Sequence, residues 1–129
     1  MASYILDKAY AAADDDGIGA CRVVVQGDNP GEAKLPTEAN AGAILGVSVH
    51  SQPLRGANIA VRKAGIARVL AAAPIRVGEP VNIADTSGRV KEVDEDTGAK
   101  VNCLGFAETA ADNENDLVEV FIALHERTI

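Results

Sequence analysis

Two aspartates stand in turns of the kind that aspartic proteases use for catalysis. Asp85 opens the stretch DTSG, and Asp96 opens the stretch DTGA. Two carboxylates that share one proton in a sheltered site divide the roles of general acid and base. A small chain would build such a site from two identical subunits. A homodimeric aspartic protease using Asp96 or Asp85 is therefore one hypothesis for the function.

The surroundings of both aspartates favour ordinary turns. Asp96 follows the run EVDE (92–95), and crowding by like charge is typical of a solvated turn. Ser87 interrupts the D-T-G spacing after Asp85, and an Asp followed by a Gly is also good hairpin chemistry. We therefore expect the two aspartates to be corners of a β-meander that contains the short strand RVKEV (89–93).

Metal and cofactor chemistry has little support in the sequence. The stretches DDDG (14–17) and DEDTG (94–98) resemble pieces of a calcium loop but lack its alternating ligands and distal Glu. His50 and His125 have no Cys or His at zinc-ligand spacing. Phosphate-loop, dinucleotide and serine-hydrolase motifs are absent from the sequence. We expect no enzymatic activity, no metal and no cofactor.

Charge and composition narrow the classes of partner. The net charge of −7 argues against nucleic-acid binding, which needs basic residues to neutralise phosphates. The sequence has no long apolar stretch that predicts a membrane span and no signal-peptide pattern at the start, which indicates a soluble protein made in the cytoplasm. Cys21 and Cys103 are then expected to be reduced structural thiols. A small-ligand or sugar-binding β-module remains a further hypothesis, although few aromatic residues are present for stacking.

Short apolar runs separated by turn residues are typical of an all-β protein, and the length predicts a single domain. We divide the chain into an N-terminal arm or closing segment (1–19) and a β domain (20–129), with a long polar loop over 27–43. The strands are predicted at 20–26, 43–50, 57–62, 65–71, 80–84, 89–93, 100–107 and 116–124. Many apolar residues are alanine, so the core is thin, which favours oligomerisation.

Alternation in the last strand separates its two faces. Val118, Val120, Ile122 and Leu124 share one side and are expected to face the core. Phe121 lies on the opposite side, which is unusual for a monomer, so we predict that it packs against a neighbouring subunit.

Residues 42–124 resemble the capsid-cement, or head-decoration, proteins of tailed bacteriophages. The resemblance lies in the order of GAILGV (42–47), the segment from ANIAVRKAGIARV to GRVKEV (57–93), and VNCLGFAETAADNENDLVEVFI (101–122). It implies a small β-barrel or sandwich-like domain without enzymatic activity. It also implies a homotrimer on the outer surface of the phage head, where it would bind the expanded lattice of the major capsid protein and stabilise it.

Candidate contacts with the capsid follow from the segments expected to be exposed. In the arm they are Tyr4, Ile5 and Tyr10, and in the polar loop they are Pro30, Leu35 and Pro36. Phe121 is the candidate for the contact between subunits.

Overall fold

The protein is built from short strands that form a closed barrel and a second sheet, so the all-β prediction is confirmed. The computed structural model describes residues 5–129. The strands are β1 (Leu6–Ala12), β2 (Val23–Gln26), β3 (Glu32–Lys34), β4 (Ile44–Ser48), β5 (Asn58–Ala64), β6 (Ile66–Leu70), β7 (Pro80–Ile83), β8 (Val90–Glu92), β9 (Lys100–Ala107) and β10 (Leu117–Thr128).

The barrel contains the first five strands in the order β1-β3-β2-β4-β5. It is closed by the antiparallel pairing of β1 with β5, while β1 and β3 run parallel. Residues 6–12, for which an arm and a closing segment were the alternatives, form this closing strand. Closure leaves no free strand edge, which is how small β proteins protect their backbone groups.

The interior of the barrel holds a small apolar cluster. Its members come from the barrel strands and from the turn after β1: Tyr10, Ala12, Ile18, Val24, Ala33, Ile59 and Val61. Tyr10 is 4% exposed, and it is opposite Ile59 in the β1–β5 pair. The ring of Tyr10 is the one aromatic ring in this cluster, so it supplies much of the interior bulk.

Predicting 27–43 as one polar loop was wrong, because part of the segment belongs to the barrel. Residues 32–34 form β3, which pairs with both β1 and β2. Ala33 is fully buried, and the turn at Pro30 and Gly31 joins β2 to β3. A strand of three residues is too short to show alternation, so the sequence carried no periodic signal for it.

The second sheet has the order β6-β10-β9-β7-β8, and all its pairs are antiparallel. The predicted meander is wrong at β8, which lies at the sheet edge beside β7 and not beside β9. Both sides of β9 are already occupied, by β7 and β10, so the chain after β8 must cross back over β7. The DTSG turn does join a hairpin, between β7 and β8.

The main core lies between the second sheet and the barrel. Val23, Val25 and Val47 point outward from the barrel and join buried residues of β6 to β10. Every buried member of this core is Val, Ala, Ile or Leu. A core without aromatic side chains buries less apolar area per residue, as the composition predicts.

The last strand is irregular partway along its length. Val118, Val120 and Ile122 are buried as expected, but Leu124 is 48% exposed. The register with β9 shifts between Ile122 and His125, which is the mark of a β-bulge, so the regular alternation of faces does not continue through Leu124. The expectation of a buried Leu124 was therefore wrong.

Candidate functional site

Both phenylalanines of the chain lie on the outer face of the second sheet. Phe121 of β10 is directly opposite Phe106 of β9 and Ile66 of β6, and Phe106 is opposite Pro80 of β7. Directly opposed residues share a face, so these four side chains form a row across four strands. We call it the phenylalanine row. Phe121 is 45% exposed and Ile66 is 43% exposed.

Close packing of the backbone brings the two phenylalanine strands together. A side chain at Gly105, between Leu104 and Phe106, would place its Cβ only 1.9 Å from the Phe121 carbonyl oxygen. Glycine is therefore required at this point, beside the β-bulge of β10. The close approach of β9 and β10 at Gly105 thus fixes where Phe106 and Phe121 lie relative to each other.

Polar groups lie beside the row on both of its sides. The His125 ring stacks on Phe106 with a centroid distance of 5.2 Å, and the Arg127 guanidinium lies 6.0 Å from the Phe106 centroid. On the other side of the row, Arg68 and Glu119 are directly opposite each other. Among residues 5–129 neither of these two takes part in an ion pair. Protein interfaces commonly have an apolar centre and a polar rim. The phenylalanine row and the charged residues beside it have this arrangement.

A polar network lies near the other edge of the second sheet. The Asn82 side-chain amide donates to both carboxylate oxygens of Glu95, at 2.8 and 3.1 Å, and the Lys91 ammonium also donates to Glu95. Burial raises the pKa of Glu95, but these hydrogen bonds outweigh it, so the pKa lies below its ordinary value. Glu95 is therefore a charged group that fixes the segment after β8.

The two aspartates of the D-T turns have different settings. Asp85 accepts from the backbone N–H of Ser87 at 3.0 Å and forms an ion pair with Arg89 at 2.7 Å. Glu114 and Asp85 together raise the pKa of Arg89, the Glu114 hydrogen bond having the larger effect. Asp96 is exposed and its carbonyl accepts from the N–H of Ala99, which closes a turn. Asp85 is thus engaged within its own turn.

The predicted capsid-contact residues are only partly exposed. Ile5 is 54% exposed and Pro30 is exposed, whereas Tyr4 lies outside the described residues. The expectation of exposure was wrong for Tyr10 and Pro36, which are buried, and Leu35 is half-buried against the barrel cluster. The reason is that β1 and β3 are barrel strands, and their neighbourhoods supply core residues.

The fold brings Tyr10 and Pro30 together at one mouth of the barrel. They line an open cleft of about 500 Å³ with Lys8, Lys63, Leu45 and the β2–β3 turn. The Lys63 ammonium donates to the Tyr10 hydroxyl at 2.6 Å, and the Lys8 and Lys63 nitrogens lie 5.2 and 5.3 Å from the Tyr10 ring centroid. The two lysines were not recognised from sequence, because only the assignment of β1 as a strand puts Lys8 and Tyr10 on one face.

Two other features are absent from residues 5–129. This part of the chain contains no group of three or more His, Cys, Asp or Glu side chains placed to hold a metal ion. It also contains no helix of the length and apolarity needed to cross a membrane. Both cysteines are free thiols, and burial raises the pKa of Cys103, which makes it less reactive.

Comparison with known proteins gives a likeness in fold. No protein-family model matches the chain, and no curated protein sequence matches it. Among solved structures, the chain is similar to the head fiber gp8.5 N base of bacteriophage phi29, with a TM-score of 0.65 and 22% sequence identity. The similar region covers 93% of this chain and 95% of that chain. The barrel and the second sheet together therefore form a fold that is also found in a phage head fiber base.

Proposed function

We propose that this chain is a non-enzymatic structural protein of a phage virion that decorates the outside of the head and stabilises the expanded shell. The observation that carries the proposal is the fold likeness to a phage head fiber base, which spans nearly the full length of both chains. The resemblance of residues 42–124 to capsid-cement proteins supports it independently, because it was recognised from sequence order.

The proposed partner is the major capsid protein. Two of the predicted contact residues, Ile5 and Pro30, are exposed, and Tyr4 lies outside the described residues. Tyr4, Ile5 and Pro30 remain candidates for direct contact with the shell. Tyr10 and Pro36 are buried and Leu35 is half-buried, so in this proposal they pack beneath the contact residues and do not touch the shell directly. No nucleic acid or membrane is required for this role.

We further propose that the protein acts as a homotrimer through the phenylalanine row. An exposed Phe121 beside Phe106 and Ile66 gives an apolar centre, and large aromatic side chains are typical of interface centres. The thin core of the single chain is consistent with stability gained by association.

The mechanism of stabilisation is preferential binding combined with multivalency. A trimer that contacts several capsid subunits makes each later contact intramolecular, so weak contacts add to firm attachment. A protein that binds only the expanded lattice stabilises that lattice by mass action. The test is co-sedimentation of the purified chain with shells of its parent phage. Binding to expanded shells but not to unexpanded shells is the expected result.

A further inference from the structure

The strongest unassigned feature is the cleft at the barrel mouth between Lys8, Tyr10 and Lys63. We propose that this cleft binds an acidic peptide segment of the partner protein, with carboxylates seated between the two lysine ammonium groups. Peptide binding itself is independent of the shell, but placing this segment on the capsid rests on the proposed function.

The position of the lysines is the first argument. Lys8 is directly opposite Val61 in the β1–β5 pair, and Val61 belongs to the interior cluster of the barrel. Lys8 therefore lies on the inner face. Lys63 reaches the same place, because its ammonium group donates to the hydroxyl of the interior residue Tyr10. Inner positions of a small barrel are normally filled by apolar side chains. Two charges at the same mouth indicate that the mouth meets a polar ligand or solvent.

The second argument is that neither ammonium group is paired with a carboxylate among residues 5–129. Among the described residues, Lys8 has no hydrogen bond from its nitrogen, and Lys63 donates only to the Tyr10 hydroxyl. An ammonium group has three donors, so most of their capacity is free. Neither lysine forms an ion pair within residues 5–129.

The nearby carboxylates are already occupied. Asp7 pairs with Arg62 at 2.9 Å, and Asp28 pairs with Lys34 at 3.4 Å. Glu32 accepts from the backbone N–H of Asn29 at 3.0 Å. The two lysines therefore form a local positive site on a chain whose net charge is −7, and the complementary ligand is an anion.

The class of ligand follows from charge and shape. Two lysines on an acidic chain are too few for nucleic acid, whose binding strength depends on many phosphate contacts. Tyr10 is 4% exposed, so its ring face is not free to stack on a base. The open cleft of about 500 Å³, walled by the β2–β3 turn with Pro30, suits an extended peptide.

Binding is measured by fluorescence anisotropy of a labelled hexaglutamate peptide, with hexaglutamine as the neutral comparison. The chain has no Trp and two Tyr, so in a Tyr4→Phe background the tyrosine emission comes from Tyr10 alone. We expect saturable hexaglutamate binding that changes Tyr10 emission, and no binding of hexaglutamine. Lys8→Gln and Lys63→Gln should each weaken binding roughly fivefold, the value of one partly screened ion pair.

The matched control is Lys100→Gln, which removes the same charge from an exposed position of β9. It should leave hexaglutamate affinity unchanged. Lys8→Arg keeps the charge and should retain binding. Circular dichroism of the two glutamine variants should match that of the unaltered chain, which separates loss of the charge from loss of the fold.

The assignment is overturned if hexaglutamate does not bind, or if Lys100→Gln weakens binding as much as Lys8→Gln. It is also overturned if inorganic phosphate at constant ionic strength displaces the peptide at equal concentration, since the site would then be a phosphate site. The assay contains no shells, so its failure is separate from failure of the shell-binding experiment.

Discussion

At the scale of single residues, Phe121 is a large aromatic side chain that lies half-exposed on the outer face of the second sheet. The strand buries Val120 and Ile122 on one face and leaves Phe121 45% exposed on the other. Alternation along the last strand already predicted this position, since it places Phe121 on the face opposite the expected core residues. Phe106, its neighbour in the row, was not recognised, because the register of β9 against β10 is a tertiary property.

We predict that Phe121→Ser lowers the oligomeric state without unfolding the chain. The side chain is half-exposed, so its removal costs little in the monomer, whereas loss of an interface aromatic costs about 2 kcal/mol or more in association. Light scattering should show a trimer for the unaltered chain and a monomer for the variant. Val77→Ser is the control, because Val77 is 63% exposed and lies outside the second sheet. An unchanged mass for Phe121→Ser would remove the row from the subunit interface.

Glu95 allows a prediction about pH. Its folded pKa is lowered, so its stabilising effect is present above the unfolded value of 4.5 and is lost as pH falls through the folded pKa. Glu95→Gln should therefore lower the free energy of unfolding at neutral pH by about 1 kcal/mol, with the difference from the unaltered chain shrinking below pH 4.5. Denaturant titrations at several pH values measure this difference.

Asp94→Asn is the control for Glu95→Gln, because Asp94 contacts the same lysine but is 73% exposed at its side chain. An exposed ion pair contributes little to stability. A difference for Glu95→Gln that stays constant down to pH 3 would contradict the assigned role of its charge.

At the scale of elements, the N-terminal segment has two parts, which are residues 2–5 and the barrel strand β1. The strand pairs with β3 and β5, and it supplies Tyr10 and Ala12 to the interior cluster. Residues 2–5 precede the strand. A deletion that is meant to test shell contact must therefore stop before Leu6.

We predict that a chain lacking residues 2–5 stays folded and binds shells less tightly, because Tyr4 and Ile5 are lost. A chain lacking residues 2–12 should lose cooperative unfolding, because the barrel is opened and a buried tyrosine is removed at a cost of about 3 kcal/mol or more. Circular dichroism during heating distinguishes the two. A stable, cooperatively folded chain without residues 2–12 would show that β1 is dispensable to the barrel.

The elements that could be predicted from sequence are those with clear periodicity. The β9 segment KVNCLGFA was predicted with the observed bounds, and the other strands of the second sheet were placed within a few residues. The missed strand was β3, which has three residues. The segment that contains β1, whose Ala-rich sequence alternates weakly, was predicted only as an arm or a closing segment. The Lys8–Tyr10–Lys63 cleft could not be predicted, because it depends on β1 pairing with β5, which is distant in the sequence.

At the scale of the whole molecule, the two proposed contacts lie on separate surfaces. The phenylalanine row, proposed for contact between copies, is on the outer face of the second sheet. The two lysines and Pro30, proposed for contact with a different protein, are at the barrel mouth. A small all-β chain with a thin core can in this way join an oligomer to a larger assembly, with binding strength supplied by the number of contacts.

The most direct test of this account is co-sedimentation of the full chain with expanded and unexpanded shells of its parent phage. The account predicts saturable binding to expanded shells, in multiples of three chains per site, and no binding to unexpanded shells. The chain lacking residues 2–5 serves as the weakened comparison. Equal binding to both kinds of shell, or binding to neither, would contradict the proposed role in stabilising the expanded lattice.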